Sequence, residues 1–173
     1  MVRGRRVLVS TQSAYNLRMS CVPAVGDRAP EFSLHSETGE TVRLADLRGR
    51  WVVLFFYPRD NTPGCTKEAC AFRDAAVDFV RVNAVLLGIS ADGPSSHRRF
   101  IAHYRLPYRL LSDPDGAVRK AYGVYRWLFR AQRSTFVIAP DGVIAAVFRG
   151  VRVDGHEAEV LTTLIGLQLR TTP

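Results

Sequence analysis

Residues 51–70 read WVVLFFYPRDNTPGCTKEAC, and the fold of the chain follows from how this stretch is read. Its first seven residues, from Trp51 to Tyr57, are all apolar and rich in aromatic and β-branched types. A short bounded run of this kind reads as a strand buried on both faces, in a sheet covered by helices. Pro58 stops the strand, and Arg59, Asp60 and Asn61 form a polar loop. Thr62-Pro63-Gly64-Cys65 then reads as a helix start, with Thr62 as N-cap and Pro63 at the first helical position, where a missing N–H costs nothing. Cys65 falls at the third helical position, near unpaired backbone N–H groups and the positive end of the helix dipole.

A free cysteine has a pKa of about 8.5. Helix N-termini and nearby cations lower it to ~6 or below, so that thiolate, the nucleophilic form, predominates. Buried, inert cysteines are common, but Cys65 follows a strand, a polar loop and Thr-Pro-Gly rather than lying on an apolar helical face. A reactive thiol is the reading that its setting favours.

Working outward, Glu31 to Leu34 and Thr41 to Leu44 alternate polar and apolar residues around Glu37-Thr38-Gly39-Glu40, a hairpin pattern. After Cys65, the spacing of Ala69, Phe72, Ala76, Phe79 and Val80 predicts one continuous helix with an apolar face. Residues 84–90 are a second buried strand, completing a right-handed βαβ unit. Asp92-Gly93-Pro94 opens a helix with Phe100, Ile101 and Tyr104 as its stripe, and Asp113-Pro114-Asp115-Gly116 opens a shorter one. Phe136 to Ile138 and Val143 to Phe148 flank the turn Pro140-Asp141-Gly142. A last helix begins near Asp154, with Leu161, Leu164, Ile165 and Gln168 along one side. The pattern is α/β, with parallel and hairpin strands together.

At 173 residues the chain suits one domain over residues 25–173, preceded by a poorly ordered extension over residues 1–24 that includes Cys21. No apolar run approaches the ~18 residues that span a membrane. Three cysteines, Cys21, Cys65 and Cys70, are too few for a disulfide scaffold. They suit catalytic thiols in a reducing, cytoplasmic compartment. The net charge of +8 invites a nucleic-acid reading. Four of those charges, Arg3, Arg5, Arg6 and Arg18, lie in the first 26 residues, and no recognition helix or aromatic-basic motif is present. Solvated surface charge accounts for them, and neither nucleic acid nor membrane is an expected partner. His35, His97, His103 and His156 lack ligand spacing, so no metal is expected.

Pro58-x-x-x-Thr62-x-x-Cys65 matches the active-site signature of peroxiredoxins. The fuller string YPRDNTPGCTKEACAFRD resembles the PrxQ, or bacterioferritin-comigratory-protein, subfamily. Arg133 followed by Ser134-Thr135-Phe136-Val137-Ile138 is a second matching block, and the likeness runs from about Val25 to the last helix. It implies a thioredoxin-like α/β fold, a central mixed sheet flanked by helices with an N-terminal β-hairpin. It also implies a peroxidase without a cofactor, re-reduced by thioredoxin or a similar dithiol, and working as a monomer or weak homodimer. Cys65 would be the nucleophile. Thr62 would hydrogen-bond the thiolate or peroxide, and Pro58 would shield the sulfur. Gly64, Thr62 and Arg133 would bind substrate, Gly64 through its backbone N–H and Arg133 through its guanidinium. Glu68, one turn beyond Cys65, could brace Arg133.

The resemblance further implies that Cys70 resolves the sulfenic acid on Cys65. On one helix, five residues place the two Cα atoms about 8 to 9 Å apart. A disulfide tolerates roughly 7 Å, so the first turns would have to unwind. A one-cysteine peroxidase resolved by an external thiol remains open, as does a non-enzymatic thiol redox sensor. A thioredoxin-type oxidoreductase fits less well, since its Cys-x-x-Cys is replaced here by Cys-x-x-x-x-Cys. Residues 125–130, Tyr-Arg-Trp-Leu-Phe-Arg, are unusually apolar for the loop before Arg133 and read as core, pocket lining or contact patch.

Overall fold

The computed structural model describes residues 22–126 and 130–171. In chain order the hairpin β1 (Ser33–Ser36) and β2 (Thr41–Arg43) leads through a 3-10 turn, Leu44–Leu47, to β3 (Trp51–Phe56). Helices α1 (Pro63–Asp74) and α2 (Ala76–Arg81) precede β4 (Ala84–Ser90), and α3 (Pro94–Tyr104) precedes β5 (Arg109–Ser112). Then come α4 (Ala117–Ala121), the short pair β6 (Tyr125–Arg126) and β7 (Arg130–Ala131), β8 (Ser134–Ile138), β9 (Ile144–Arg149) and α5 (His156–Thr171). Seven strands form one sheet in the order β2-β1-β5-β4-β3-β8-β9. β3, β4 and β5 are mutually parallel, and the other pairs are antiparallel. This is the expected mixed sheet with helical cover and an N-terminal hairpin.

All six residues of β3 are buried, because alternate side chains feed two separate cores. Val52, Leu54 and Phe56 pack with Phe32, Tyr122, Phe136 and Ile144 on one face. Trp51, Val53 and Phe55 pack with Cys65, Phe72, Phe79, Phe100 and Leu164 on the other. At about 1.5–3 kcal/mol per large side chain, β3 contributes on the order of 10 kcal/mol before chain entropy is subtracted. Gly88 on β4 makes room within the second core, since a Cβ there would lie 2.7 Å from the Phe55 ring and 2.6 Å from Leu110.

Some expectations are corrected. The helix predicted to run unbroken to Val80 breaks at Ala75, and Val80 is 72% exposed while Phe79 is buried. No Gly or Pro marks the break; α1 packs against α5, whereas α2 packs against β4. Strand β5 was not anticipated, because its only apolar residues are Leu110 and Leu111, and parallel pairing with β4 is what fixes it. On α5 the buried stripe is Val160 and Leu164, with Ile165 turned outward. The expected extension lies outside the described residues except for 22–24. There Pro23 is buried and its carbonyl accepts a hydrogen bond from Arg149. The reading of residues 125–130 falls largely outside the described residues, as does Cys21.

Candidate active site

Strand register assembles the site. Antiparallel pairing places Phe56 of β3 opposite Ser134 of β8, so Tyr57 and Arg133 lie one step further along at the same sheet end. From Tyr57 the chain passes through residues 58–62 into α1. Thr62 is the N-cap in extended conformation (φ −88°, ψ 147°), with Pro63 as the first helical residue. Its hydroxyl does not cap the helix, and donates instead to the Arg59 carbonyl at 3.2 Å.

Cys65 and Glu68, three residues apart on α1, share a face and meet the same guanidinium. Arg133 Nη2 lies 3.6 Å from Cys65 Sγ, and Nη1 donates to Glu68 Oε2 at 2.5 Å. Gly64 permits this approach, since a Cβ there would sit 3.1 Å from Arg133 Nη2. Burial works against the charge on Arg133, but Glu68 and Cys65 outweigh it and hold the guanidinium protonated. Burial raises the Glu68 carboxyl to about 7, even with Arg133 pulling it back down. Removing Arg133 would leave the buried Glu68 carboxyl without its partner. Chemically, a sulfur at a helix N-terminus, with a fixed cation beside it, is arranged to react as an anion.

Of the residues singled out from sequence, Cys65, Gly64 and Arg133 come together directly, and Glu68 braces Arg133 as anticipated. Pro58 and Thr62 sit on the adjoining loop. Cys70 lies further along α1 and is half-buried, with its thiol free like that of Cys65. Nearby, the Tyr108 hydroxyl donates to the Ala69 carbonyl at 2.7 Å, and Arg73 donates to the Tyr104 carbonyl at 3.0 Å. Behind α1, His156 Nε2 lies 2.7 Å from Thr135 Oγ1, and its ring packs edge-on against Phe72 and Phe148. Burial lowers the His156 pKa, so the ring is neutral near neutrality. Tyr108 and His156 gave no sequence signal, because their partners are far away in the chain. Asp60, read as part of a polar loop, is buried.

Among the described residues, no helix is long and apolar enough to cross a membrane. A sequence profile described as the AhpC/TSA family matches residues 25–147. Peroxiredoxin Bcp of Bacillus subtilis is 40% identical over 147 residues, covering 81% of this chain and 94% of that protein. The crystal structure of Peroxidoxin BcpB from Mycobacterium tuberculosis superposes with a TM-score of 0.80 at 40% identity, covering 84% of this chain and 98% of that one. A bacterioferritin comigratory protein of Xanthomonas campestris, studied for alkyl peroxide reduction, gives a TM-score of 0.76 at 33% identity, covering 79% and 91%. With a cysteine at the N-terminus of α1 and a half-buried arginine against its sulfur, the chain belongs to the AhpC/TSA family, as a thiol-dependent peroxidase of the Bcp or peroxiredoxin Q kind.

Proposed function

We propose that Cys65 is the nucleophile, that Arg133, Thr62 and the backbone N–H of Gly64 hold the peroxide, and that Pro58 shields the sulfur. The observation that carries this is the Arg133 guanidinium, braced by Glu68 and 3.6 Å from Cys65 Sγ. The Cys65 thiolate attacks one peroxide oxygen and the O–O bond breaks. Both bonding electrons leave with the other oxygen, which takes a proton to become water or alcohol, and Cys65 becomes a sulfenic acid. Cys70 then attacks that sulfur, forming the Cys65–Cys70 disulfide and releasing water. A thioredoxin-like dithiol returns both thiols by exchange.

The substrates are hydrogen peroxide and organic hydroperoxides, in keeping with the alkyl peroxide reduction associated with the Xanthomonas relative. The free thiols suit a reducing, cytoplasmic setting, with the protein acting as a monomer or weak homodimer. Adding one equivalent of peroxide to the reduced protein tests the cycle. Mass spectrometry should show the loss of two hydrogens and a peptide joining Cys65 to Cys70. A stable sulfenic acid on Cys65 with Cys70 free would remove Cys70 from the cycle. Full turnover by Cys65→Ser would remove Cys65.

A further inference from the structure

Beyond the buried Tyr57, the loop between β3 and α1 has one buried residue, and that residue is an acid. Within residues 58–62, Asp60 alone is buried, with a side chain 1% exposed, while Arg59 and Asn61 face solvent. Loops are usually pinned by an apolar side chain, since burying a carboxylate is costly unless every oxygen finds donors. Here they do. Tyr57 OH donates to Oδ1 at 2.7 Å, and Ser96 OH donates to Oδ2 at 2.7 Å. His97 Nδ1–H donates to Oδ2 at 2.9 Å, from a ring with no exposed surface. The backbone of Asp60 is gripped as well: its N–H donates to Asp92 Oδ2 at 2.9 Å, and that oxygen is itself held by the Ser90 hydroxyl at 2.8 Å. Burial pushes the Asp60 carboxyl up, but His97, Tyr57 and Ser96 outweigh it and hold the group below its ordinary range, as a carboxylate.

The cluster therefore joins the ends of β3 and β4 and the first turn of α3 to one loop residue. That residue lies two positions from Pro58 on one side and two from Thr62 on the other. Asn61, the next residue, takes a left-handed conformation (φ 57°), which turns the chain back toward α1. An apolar anchor would hold the loop down. Directional bonds to both carboxylate oxygens and to the N–H also fix its orientation.

We infer that Asp60 is a positioning residue for the peroxide reaction, holding Pro58 and Thr62 in place over Cys65 through its buried hydrogen-bond cluster. The inference rests on the roles proposed above for Pro58 and Thr62. Two rates separate positioning from general damage: the second-order reaction of reduced protein with hydrogen peroxide, and alkylation of Cys65 by iodoacetamide, which needs the thiolate but not the loop.

Asp60→Ala should slow the peroxide reaction by about 10- to 100-fold, the scale of a misplacement of about 1 Å, with alkylation within about two-fold. Tyr57→Phe removes one hydroxyl from the cluster and should slow peroxide by about five-fold, again without an effect on alkylation. Tyr57→Phe decides by the same two rates if Asp60→Ala does not fold. Asp60→Asn, which keeps one acceptor oxygen, should fall between wild type and Asp60→Ala. A peroxide rate within two-fold of wild type, or peroxide and alkylation rates falling by the same factor, would overturn the inference. Thr62→Val is the control on the underlying reading. If it leaves the peroxide rate unchanged, the proposed pocket itself is wrong. If it slows peroxide while Asp60→Ala does not, only the positioning role fails.

Discussion

The two ends of α1 are held in opposite ways. Its first turn carries Gly64 and the buried Cys65 against the Arg133 guanidinium, and its opening N–H groups have no helical partners. From Ala69 onward the helix is fastened to its surroundings. Phe72 is fully buried and stacks on Phe55 at 4.8 Å, Tyr108 holds the Ala69 carbonyl, and Arg73 reaches the Tyr104 carbonyl. Cys65 lies in the first turn and Cys70 in the fastened part, an asymmetry that suits the disulfide closure proposed within this helix.

Four substitutions and one pH series would break or sharpen this contrast. Arg133→Ala should slow the reaction with peroxide by about 100- to 1000-fold, the range for losing a preorganised donor, with a smaller fall in melting temperature from leaving Glu68 without its partner. Phe72→Ala should do the reverse. It should cost about 3–5 kcal/mol of unfolding free energy in a denaturant titration, while the folded fraction keeps its peroxide rate. If both variants lose both properties equally, the two halves of α1 are not separate.

Glu68 ties the halves together through pH. Its folded pKa, about 7, exceeds the ordinary 4.5, so the fold favours the protonated form. The stability this contributes is fully present below about pH 4.5 and is lost as pH rises through 7. Wild type should therefore lose on the order of 3 kcal/mol relative to Glu68→Gln between pH 4.5 and 7. Parallel stability curves for the two proteins would refute the coupling.

Tyr108→Phe deletes the clamp at Ala69 and should speed amide exchange across residues 66–73 by about five-fold, the worth of one hydrogen bond. Unchanged exchange would show that Phe72 alone fixes this half. Gly64→Ala is the mildest test. Its Cβ would displace the guanidinium by a few tenths of an ångström and should slow the peroxide reaction about three-fold at unchanged stability.

What the sequence disclosed divides along a similar line. Local chemistry was legible: the apolar run of β3, the Thr-Pro start of α1 and the placement of Cys65 all follow from residues next to one another. Arg133 was legible only through its resemblance to a family pattern, because 68 residues separate it from Cys65. Asp60 was misread because the groups that bury it, His97 among them, lie up to 37 residues away. The break at Ala75 and the strand β5 were invisible for the same reason. Neither carries a local stop or a strong period, and both are imposed by packing.

The register that seats Ser134 against Phe56 also has a consequence in time. The ribosome makes Cys65 long before Arg133, and at about 5–20 residues per second the 68-residue interval lasts roughly 3 to 14 s. Throughout that interval the nascent chain carries its thiol without the guanidinium. Antiparallel pairing of β8 with β3, the step that delivers Arg133, must wait for translation to pass the end of β8. On the role proposed for Arg133, full reactivity toward peroxide arrives only with the closing stages of folding.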